Sequence, residues 1–232
     1  MKTIGFIGAF DKIDIILNVA KISAVAEQKV LIIDATILQK ARYIVPVLNP
    51  TKSYITTFEE IDVAVGFEKI EDIKKYLSLS NNESFDYDFI FVDCDNADKF
   101  KSFGLKEANI NYFVTNYGLY SLKRGLEIIQ EVGDRIPVKK VWFSNNMSDE
   151  EDSYLNILAK DMNIDWIKDK LYFPFEEGDL NANLENQVSE KINLRELSES
   201  YKEGMIYMCE EILKGKKDIS YIRKIVKNLE RG

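Results

Sequence analysis

Short apolar runs alternate with helical segments along most of this chain, and this alternation constrains the fold more than any other feature. The apolar runs are residues 3–7, 29–33, 89–92, 111–115 and 140–143, with a sixth at 164–167. A strand that is apolar on both faces needs cover on both sides, which a parallel sheet between two layers of helices provides. The sequence therefore predicts an α/β fold with a doubly wound, mostly parallel sheet.

The segments between these runs predict how the chain is divided. Helical patterns cover residues 13–26, 70–77, 121–132 and 154–161. Residues 43–67 have a different texture, broken by Pro46 and Pro50, and we interpret them only as a surface for a partner. We expect one domain over residues 1–214, followed by an amphipathic helical tail over residues 215–232.

Composition excludes several classes of function. The chain has 232 residues, a formal net charge of −8 and no histidine. Without histidine the usual Ser-His and Cys-His nucleophile pairs and most zinc sites are ruled out. The acidic balance makes a nucleic-acid partner unlikely, because phosphate contacts need clustered Lys and Arg. The two cysteines, the missing signal-peptide pattern and the missing membrane-spanning run predict a reduced, cytoplasmic protein.

The N-terminal loop has the order of elements that binds phosphate in many proteins. A buried strand ends at Gly8, a turn follows, and Lys12 precedes an apolar helix. Strand, tight turn, lysine and helix place backbone N–H groups and a helix N-terminus around a phosphate. The working pattern is GxxxxGK[ST], but here Asp11 precedes the lysine and Ile13 follows it. A solvated lysine at a helix start is the alternative interpretation.

Two other strands end in a carboxylate. Asp34 follows the second apolar run and Asp93 follows the third. Ligands of such sheets lie beyond the carboxyl ends of the strands, where an aspartate can hold Mg²⁺ directly or through water. The alternative is that each aspartate caps a turn or a helix. We take both residues as candidate metal ligands behind the glycine-lysine turn.

At this point the chain resembles the MinD/ParA family of deviant-Walker P-loop ATPases, including its CpaE/TadZ-like pilus-assembly members. The family's helix carries NLA, and NVA at residues 18–20 takes that place, which sets Lys12 on the Walker A lysine. KVLIIDAT resembles the strand KVLLIDxD, and DYDFIFVDCDN resembles DYDxIIIDTPP. VTNYGLYSLKRGLEII, VWFSNN and LYFPFEEGDLNANLENQ resemble three later family segments. The resemblance covers nearly the whole chain and implies a P-loop NTPase fold of the SIMIBI type.

The departures from the family pattern are concentrated in the nucleotide site. Ile7 stands where the family has its signature lysine, and Asp11 stands where it has the glycine before the catalytic lysine. Ile13 replaces the hydroxyl residue that binds magnesium, and Thr36 replaces the second switch carboxylate. Residues 94–96 replace the family's TPP. Asp11 puts a negative charge where a β-phosphate would lie. Two like charges about 4 Å apart repel by roughly 4 kcal/mol at an effective dielectric constant near 20. The signature lysine stabilises transition-state charge, so its loss predicts very slow hydrolysis.

The resemblance implies a set of nucleotide-binding residues and a function. These residues are Gly8, Ala9, Phe10, Asp11, Lys12, Ile13, Asp14 and, near the adenine, Asn145 and Asn146. ATP and Mg²⁺ are the implied ligands, but the departures favour a degenerate site in a localisation or assembly factor that hydrolyses little or no ATP. The family also implies a homodimer formed through the face of the nucleotide-site loops, docked to a protein of a pilus or secretion system. Two alternatives remain, an active ATP-dependent dimerisation switch and a DNA partition protein.

The C-terminal tail predicts an amphipathic helix. Ile219, Ile222, Ile225, Val226 and Leu229 fall on one side of it, away from the basic residues 223, 224 and 227. Such a helix binds an anionic membrane surface, as the tail of MinD is thought to do, which would place the protein at the inner face of the membrane. The alternative is that the helix packs on its own domain or on a partner.

Overall fold

A mostly parallel sheet runs through the centre of the molecule. The computed structural model describes residues 1–48, 50–80, 84–145 and 149–231, and within these ranges the sheet has nine strands. They are β1 (Lys2–Ile7), β2 (Val30–Asp34), β3 (Tyr54–Phe58), β4 (Ile61–Val65), β5 (Phe89–Cys94), β6 (Ile110–Asn116), β7 (Pro137–Phe143), β8 (Asp165–Trp166) and β9 (Leu171–Phe173). Their order is β3-β4-β2-β5-β1-β6-β7-β8, with β9 also paired to β7. The predicted doubly wound α/β fold is confirmed.

Helices cover both faces of this sheet. They are α1 (Ile13–Val25), α2 (Ala41–Ile44), α3 (Ile70–Ser80), α4 (Ala97–Ser102), α5 (Leu119–Val132), α6 (Asp149–Leu158), α7 (Glu177–Ser189), α8 (Glu199–Ile212) and α9 (Ile219–Leu229). Successive strand side chains point to opposite faces, so Phe6 joins the core under α1 and α8, and Ile7 joins the core under α3 to α6. This double burial is why the strands are apolar throughout.

Residues 43–67, for which the sequence predicted no structure, contain the end of α2 and an antiparallel hairpin of β3 and β4 at one sheet edge. The two turn residues, Glu59 and Glu60, have φ values of 51° and 69°. Positive φ at both positions normally selects Asn or Gly, so the turn carries no recognisable sequence signal. Lys21 of α1 holds the turn through its Nζ atom, 2.8 Å from the Glu59 carboxylate.

The sheet order brings the predicted site residues together. β2, β5 and β1 are neighbours and parallel, so Asp34, Asp93 and the loop after β1 lie at the same carboxyl edge. Asp34 and Asp93 are paired in register across β2 and β5. Any ligand of this edge would meet all three segments.

Helix α9 forms at the predicted place, but its apolar side is buried against the rest of the chain. Ile222, Ile225 and Val226 are at most 4% exposed and belong to the hydrophobic cluster that contains α1 and α8. In the structure, α9 therefore packs on the chain's own domain, which is the alternative to a membrane-bound helix. A membrane-bound tail would require these side chains to leave the core. The division of the chain at residue 215 stays a prediction.

We expect Ile222→Ala to lower the free energy of unfolding by about 2–4 kcal/mol, because it opens a cavity at a fully buried position. Lys224→Ala, on the exposed side of the same helix, is the matched control and should change it by less than about 0.5 kcal/mol. Urea unfolding followed by circular dichroism measures both. Equal stability of the two variants would contradict the packing of α9.

Candidate functional site

The Lys12 side chain is folded back into the loop that carries it. Its Nζ atom donates a hydrogen bond to the Gly8 carbonyl at 2.9 Å and lies 2.7 Å from Oδ1 of Asp93. The two side chains are only 2% and 5% exposed, so this is a buried ion pair at the carboxyl edge of the sheet. The ammonium group thus lies inside the turn, and its charge is balanced by a carboxylate of the same chain.

Burial and the partner charge act in opposite directions on both groups. Burial raises the pKa of the Asp93 carboxyl above its ordinary value, and the Lys12 ammonium opposes this rise. Burial alone would lower the pKa of Lys12, but Asp93 outweighs it, so the pKa of the ammonium lies above its usual value. Burial thus outweighs the effect of the ammonium and raises the pKa of Asp93 to about 7, while Asp93 keeps Lys12 protonated, as expected for a pair in a poorly solvated place.

The glycine that ends β1 is required by packing. Gly8 has a φ of +142°, and a Cβ atom there would lie 2.4 Å from the carbonyl oxygen of Val114 on the neighbouring β6. No larger residue fits between these two strands without moving the backbone. The same loop then places Phe10 against Phe143 at the end of β7, with 4.9 Å between ring centroids. The turn is thus fixed by contacts with β6 and β7.

The residues that depart from the phosphate-binding pattern also have structural partners. Asp11 forms an ion pair with Lys40 and accepts a 3.4 Å hydrogen bond from the backbone N–H of Ile13. Ile13 is 1% exposed and lies in the hydrophobic core. Asp14, in the first turn of α1, accepts a 2.8 Å hydrogen bond from Gln187 of α7. These side chains tie the loop to its surroundings and leave no hydroxyl for a metal.

Asp34 is used to shape the loop after β2. One of its carboxylate oxygens accepts hydrogen bonds from the backbone and hydroxyl of Thr36, at 3.1 and 2.6 Å. The other accepts from the backbone N–H of Ala41, where α2 begins, at 2.9 Å. Asp95 secures the same loop by accepting from the backbone N–H of Ile37 at 3.0 Å. Asp34 thus stabilises the turn after β2 and the start of α2, as the alternative to a metal ligand predicted.

These contacts do not fit a magnesium site. Asp93 faces an ammonium group, Asp34 already accepts from backbone and hydroxyl donors, and Ile13 offers no oxygen. No group of three or more metal-binding side chains occurs among the described residues. The space beside the loop is a cleft of about 120 Å³, whereas small-molecule sites are roughly 300–1,000 Å³. ATP would have to displace the side chains that fill this cleft.

Of the two predicted adenine residues, Asn145 lies just after the end of β7. Asn145 accepts a 2.8 Å hydrogen bond at its Oδ1 atom from the backbone N–H of Phe175, which joins the ends of β7 and β9. Asn146 lies outside the described residues. Phe10, Phe143 and Phe175 form an aromatic wall here, and with α7 they enclose a second cleft of about 210 Å³.

Sequence reasoning missed some residues of this site. Lys40 forms the ion pair with Asp11. Asp95 accepts the hydrogen bond from the backbone N–H of Ile37, and Phe175 is the third ring of the aromatic wall. Their positions depend on how the loops after β2, β5 and β9 turn back over the first loop. For the Lys40–Asp11 pair the sequence offered one signal, a basic residue after β2 and an acidic residue after the neighbouring first strand.

The fold defines the class of architecture: an α/β protein with the fold of ParA and MinD ATPases. A ParA family ATPase from Chlorobium tepidum TLS superposes with a TM-score of 0.59 at 14% identity, covering 90% of this chain and 97% of its own. The MinC:MinD cell division protein complex of Aquifex aeolicus gives 0.56 at 15% identity, covering 94% and 98%. A variant McdA–ATP complex from Cyanothece gives 0.56 at 13% identity, covering 94% and 98%.

At these identities the likeness shows the fold. No family model matches the sequence. A comparison with curated proteins also finds no match. The predicted P-loop NTPase fold is thus confirmed by structure, while the state of its nucleotide site has to be argued from the side chains above.

We expect Lys12→Met to lower the free energy of unfolding by about 3–5 kcal/mol, because it leaves the buried Asp93 carboxylate without a counter-ion. Asp93→Asn should have a similar effect on Lys12. The double variant should be more stable than the sum of the two losses predicts, by about 1–3 kcal/mol, because it removes both charges. Urea unfolding of all four proteins gives this coupling energy.

The control for this cycle is Lys40→Met. It breaks the ion pair of Lys40 with Asp11, in which both side chains are 46% exposed, and should cost less than about 1 kcal/mol. Strictly additive losses for Lys12 and Asp93 would contradict a buried ion pair.

The pH dependence of stability has a definite sign. The native pKa of Asp93, about 7, lies above the unfolded value of about 3.9. In the pH window between these two values, the native state binds more protons than the unfolded state. The free energy of unfolding contributed by this group therefore rises as pH falls through that window. We expect the rise to be larger in Lys12→Met, which lacks the opposing ammonium, and absent in the double variant. Urea midpoints measured across the window test this.

Proposed function

We propose that this chain is a MinD/ParA-like protein whose nucleotide site is closed by its own side chains, and that it acts as a localisation or assembly factor with little or no ATP hydrolysis. The buried ion pair between Lys12 and Asp93 carries this proposal. In a working site the lysine faces a phosphate and the aspartate faces a metal ion. Here the two neutralise each other, so neither charge attracts a nucleotide or a cation.

The electrostatics of the loop support the same conclusion. Bringing a triphosphate to this loop would require breaking the Lys12–Asp93 pair and would place Asp11 beside the incoming anion. Breaking a buried pair costs about 3–5 kcal/mol, which corresponds to a loss of roughly 100- to 1,000-fold in affinity or more. With Ile13 in place of a hydroxyl, binding of Mg²⁺ would recover little of this loss.

The surface around the closed site favours a protein partner. Large apolar side chains of the loops after β2, β6 and β9 and of the first turn of α5 are exposed at the carboxyl edge of the sheet: Ile37 71%, Leu38 69%, Tyr117 53%, Tyr120 73% and Phe175 53%. Exposed apolar and aromatic side chains that cluster on one face are typical of interaction sites. We propose that this face binds protein, either a second copy or a component of a pilus or secretion system.

A related complex shows that the fold accommodates such use. The Aquifex aeolicus structure is a MinC:MinD cell division protein complex, in which a protein of this fold is assembled with another protein. We infer a comparable role for the apolar carboxyl-edge face of this chain. Among the described helices, none combines the length and the hydrophobicity needed to cross a bilayer.

Isothermal titration calorimetry with ATP and Mg²⁺ tests the closed site. We expect no measurable heat of binding at millimolar ATP, and no magnesium-dependent release of phosphate by the pure protein, because the groups that would bind the nucleotide are neutralised internally.

Lys12→Ala is the matched variant for this titration. If the wild type binds ATP tightly and Lys12→Ala does not, the chain is an ATP-dependent switch and the proposal is wrong. Thermal unfolding without ligand shows whether the variant is folded in the titration.

A further inference from the structure

The second cleft at the carboxyl edge, here called the aromatic cleft, has rings along its wall. Its volume is about 210 Å³, and Phe10, Phe143, Phe175 and Tyr201 are among the side chains that line it. The ring centroids of Phe143 and Tyr201 are 6.3 Å apart. These two rings are buried in the core, whereas Phe175 is 53% exposed at the mouth. The aromatic cleft is therefore an apolar cavity with a fixed inner end that opens to solvent.

The charges that line the aromatic cleft are all negative. Asp11, Asp14, Glu176 and Asp179 contribute carboxylates, and the described lining contains neither lysine nor arginine. Lys40 forms an ion pair with Asp11, but it lines the smaller cleft beside the first loop. Within the described ranges, no cationic side chain forms an ion pair with any of the other three carboxylates. A cavity with aromatic walls and surplus negative charge attracts organic cations.

Asp14 has a carboxylate oxygen to spare. Its Oδ1 atom accepts a 2.8 Å hydrogen bond from Gln187 of α7, and no donor to its Oδ2 atom occurs in the part of the chain that the structure describes. Burial, with the nearby charge of Asp11, raises the pKa of this carboxyl, and Gln187 and Lys40 oppose the rise only in part. A cation bound beside Asp14 would stabilise its charged form.

The other two carboxylates without a counter-ion have different surroundings. Asp179 is buried, and its two oxygens accept hydrogen bonds from the backbone N–H and the hydroxyl of Ser198, at 2.6 and 2.9 Å. It therefore adds charge to the cleft without needing a further donor. Glu176 is exposed just before α7, at the mouth beside Phe175. Its carboxylate is free to turn toward a ligand.

We propose that the aromatic cleft binds a small organic cation, a guanidinium group on a short apolar stem. A guanidinium is flat and weakly hydrated, stacks on aromatic rings and donates forked hydrogen bonds to carboxylates. Its head would lie among the rings with donors directed at Asp14. Its stem would leave past Phe175 and Leu180, which are 53% and 54% exposed. Such a ligand satisfies both the apolar wall and the unpaired charge.

Adenine, the group that the family resemblance implies for this end of β7, matches the aromatic cleft less well than a cation. An uncharged base gains no ion pair from the three carboxylates, and they would repel the phosphates of ATP. The cleft is also smaller than the roughly 300–1,000 Å³ of ordinary small-molecule sites, which favours a ligand of few atoms. Cation binding here is independent of the function proposed above, because it requires neither a closed nucleotide site nor a protein partner.

Isothermal titration calorimetry of the full-length protein tests the charge of the ligand. The probe is butylguanidinium chloride, and the control is butylurea, which has nearly the same shape without the charge. We expect butylguanidinium to bind at least about 10-fold more tightly, because the neutral control lacks the attraction to rings and carboxylates. Adenosine should bind more weakly than butylguanidinium.

A glycine-flanked arginine peptide presents the same group on a main chain. We expect it to bind more weakly than butylguanidinium, because the main chain would have to pass between Phe175 and Leu180 at the mouth. Tighter binding of the peptide would assign the cleft to an arginine of a protein partner and would contradict a free ligand.

Two variants with matched controls locate the binding. Asp14→Asn keeps an acceptor for Gln187 but removes the charge, and should weaken binding by about 10-fold. Glu185→Gln is its control, because Glu185 is exposed on α7 outside the cleft. Phe175→Leu should weaken binding by about 3-fold through loss of a ring. Tyr117→Leu is the second control, since Tyr117 is also 53% exposed at this sheet edge but does not line the cleft. Neither control should change the affinity.

Thermal unfolding without ligand shows whether each variant is folded. If Asp14→Asn is not, Glu176→Gln at the exposed mouth tests the same dependence on charge and should weaken binding. Butylurea or adenosine that binds as tightly as butylguanidinium overturns the proposal, because the cleft then does not select a cation. Absence of butylguanidinium binding, or binding that is equal in the wild type and the cleft variants, overturns it as well.

Discussion

The buried ion pair between Lys12 and Asp93 is the interaction on which the rest of the site depends. It joins the loop after β1 to the end of β5 at the centre of the sheet, where both side chains are almost completely buried. Burial raises the pKa of Asp93 and Lys12 opposes this rise, while Asp93 raises the pKa of Lys12. The closed site that we propose rests on this contact: a lysine that faced a phosphate and an aspartate that faced a metal ion would have to separate, whereas here they face each other.

The neighbouring loops are arranged around this pair. Asp34 and Asp95 fold the loop after β2 over the first loop, and Lys40 of that segment then reaches Asp11. Acidic side chains that would repel a triphosphate are thus satisfied by protein donors and a lysine. These contacts leave only a small cleft beside the first loop. Exposed apolar side chains lie around it.

The strands and their parallel arrangement were predictable from the sequence, because burial on both faces makes them apolar throughout. The β3–β4 hairpin was not, since its turn uses Glu59 and Glu60 at positive φ and is held from outside by Lys21. The convergence of Lys12, Asp34 and Asp93 also followed from strand ends alone. The sequence did not predict that the Lys12 side chain turns inward, or that the Asp34 carboxylate accepts hydrogen bonds from Thr36 and Ala41. Both depend on side-chain directions, which the spacing of residues along the chain does not determine.

Gly8 has a consequence for how such loops are recognised. Its backbone passes so close to Val114 on β6 that no side chain fits, whether or not a phosphate is bound. The requirement for glycine at this position thus comes from the sheet itself and does not depend on nucleotide chemistry. A glycine after the first strand is therefore evidence of how the strands pack, and the atoms that the lysine contacts are the better guide to whether a nucleotide is bound there.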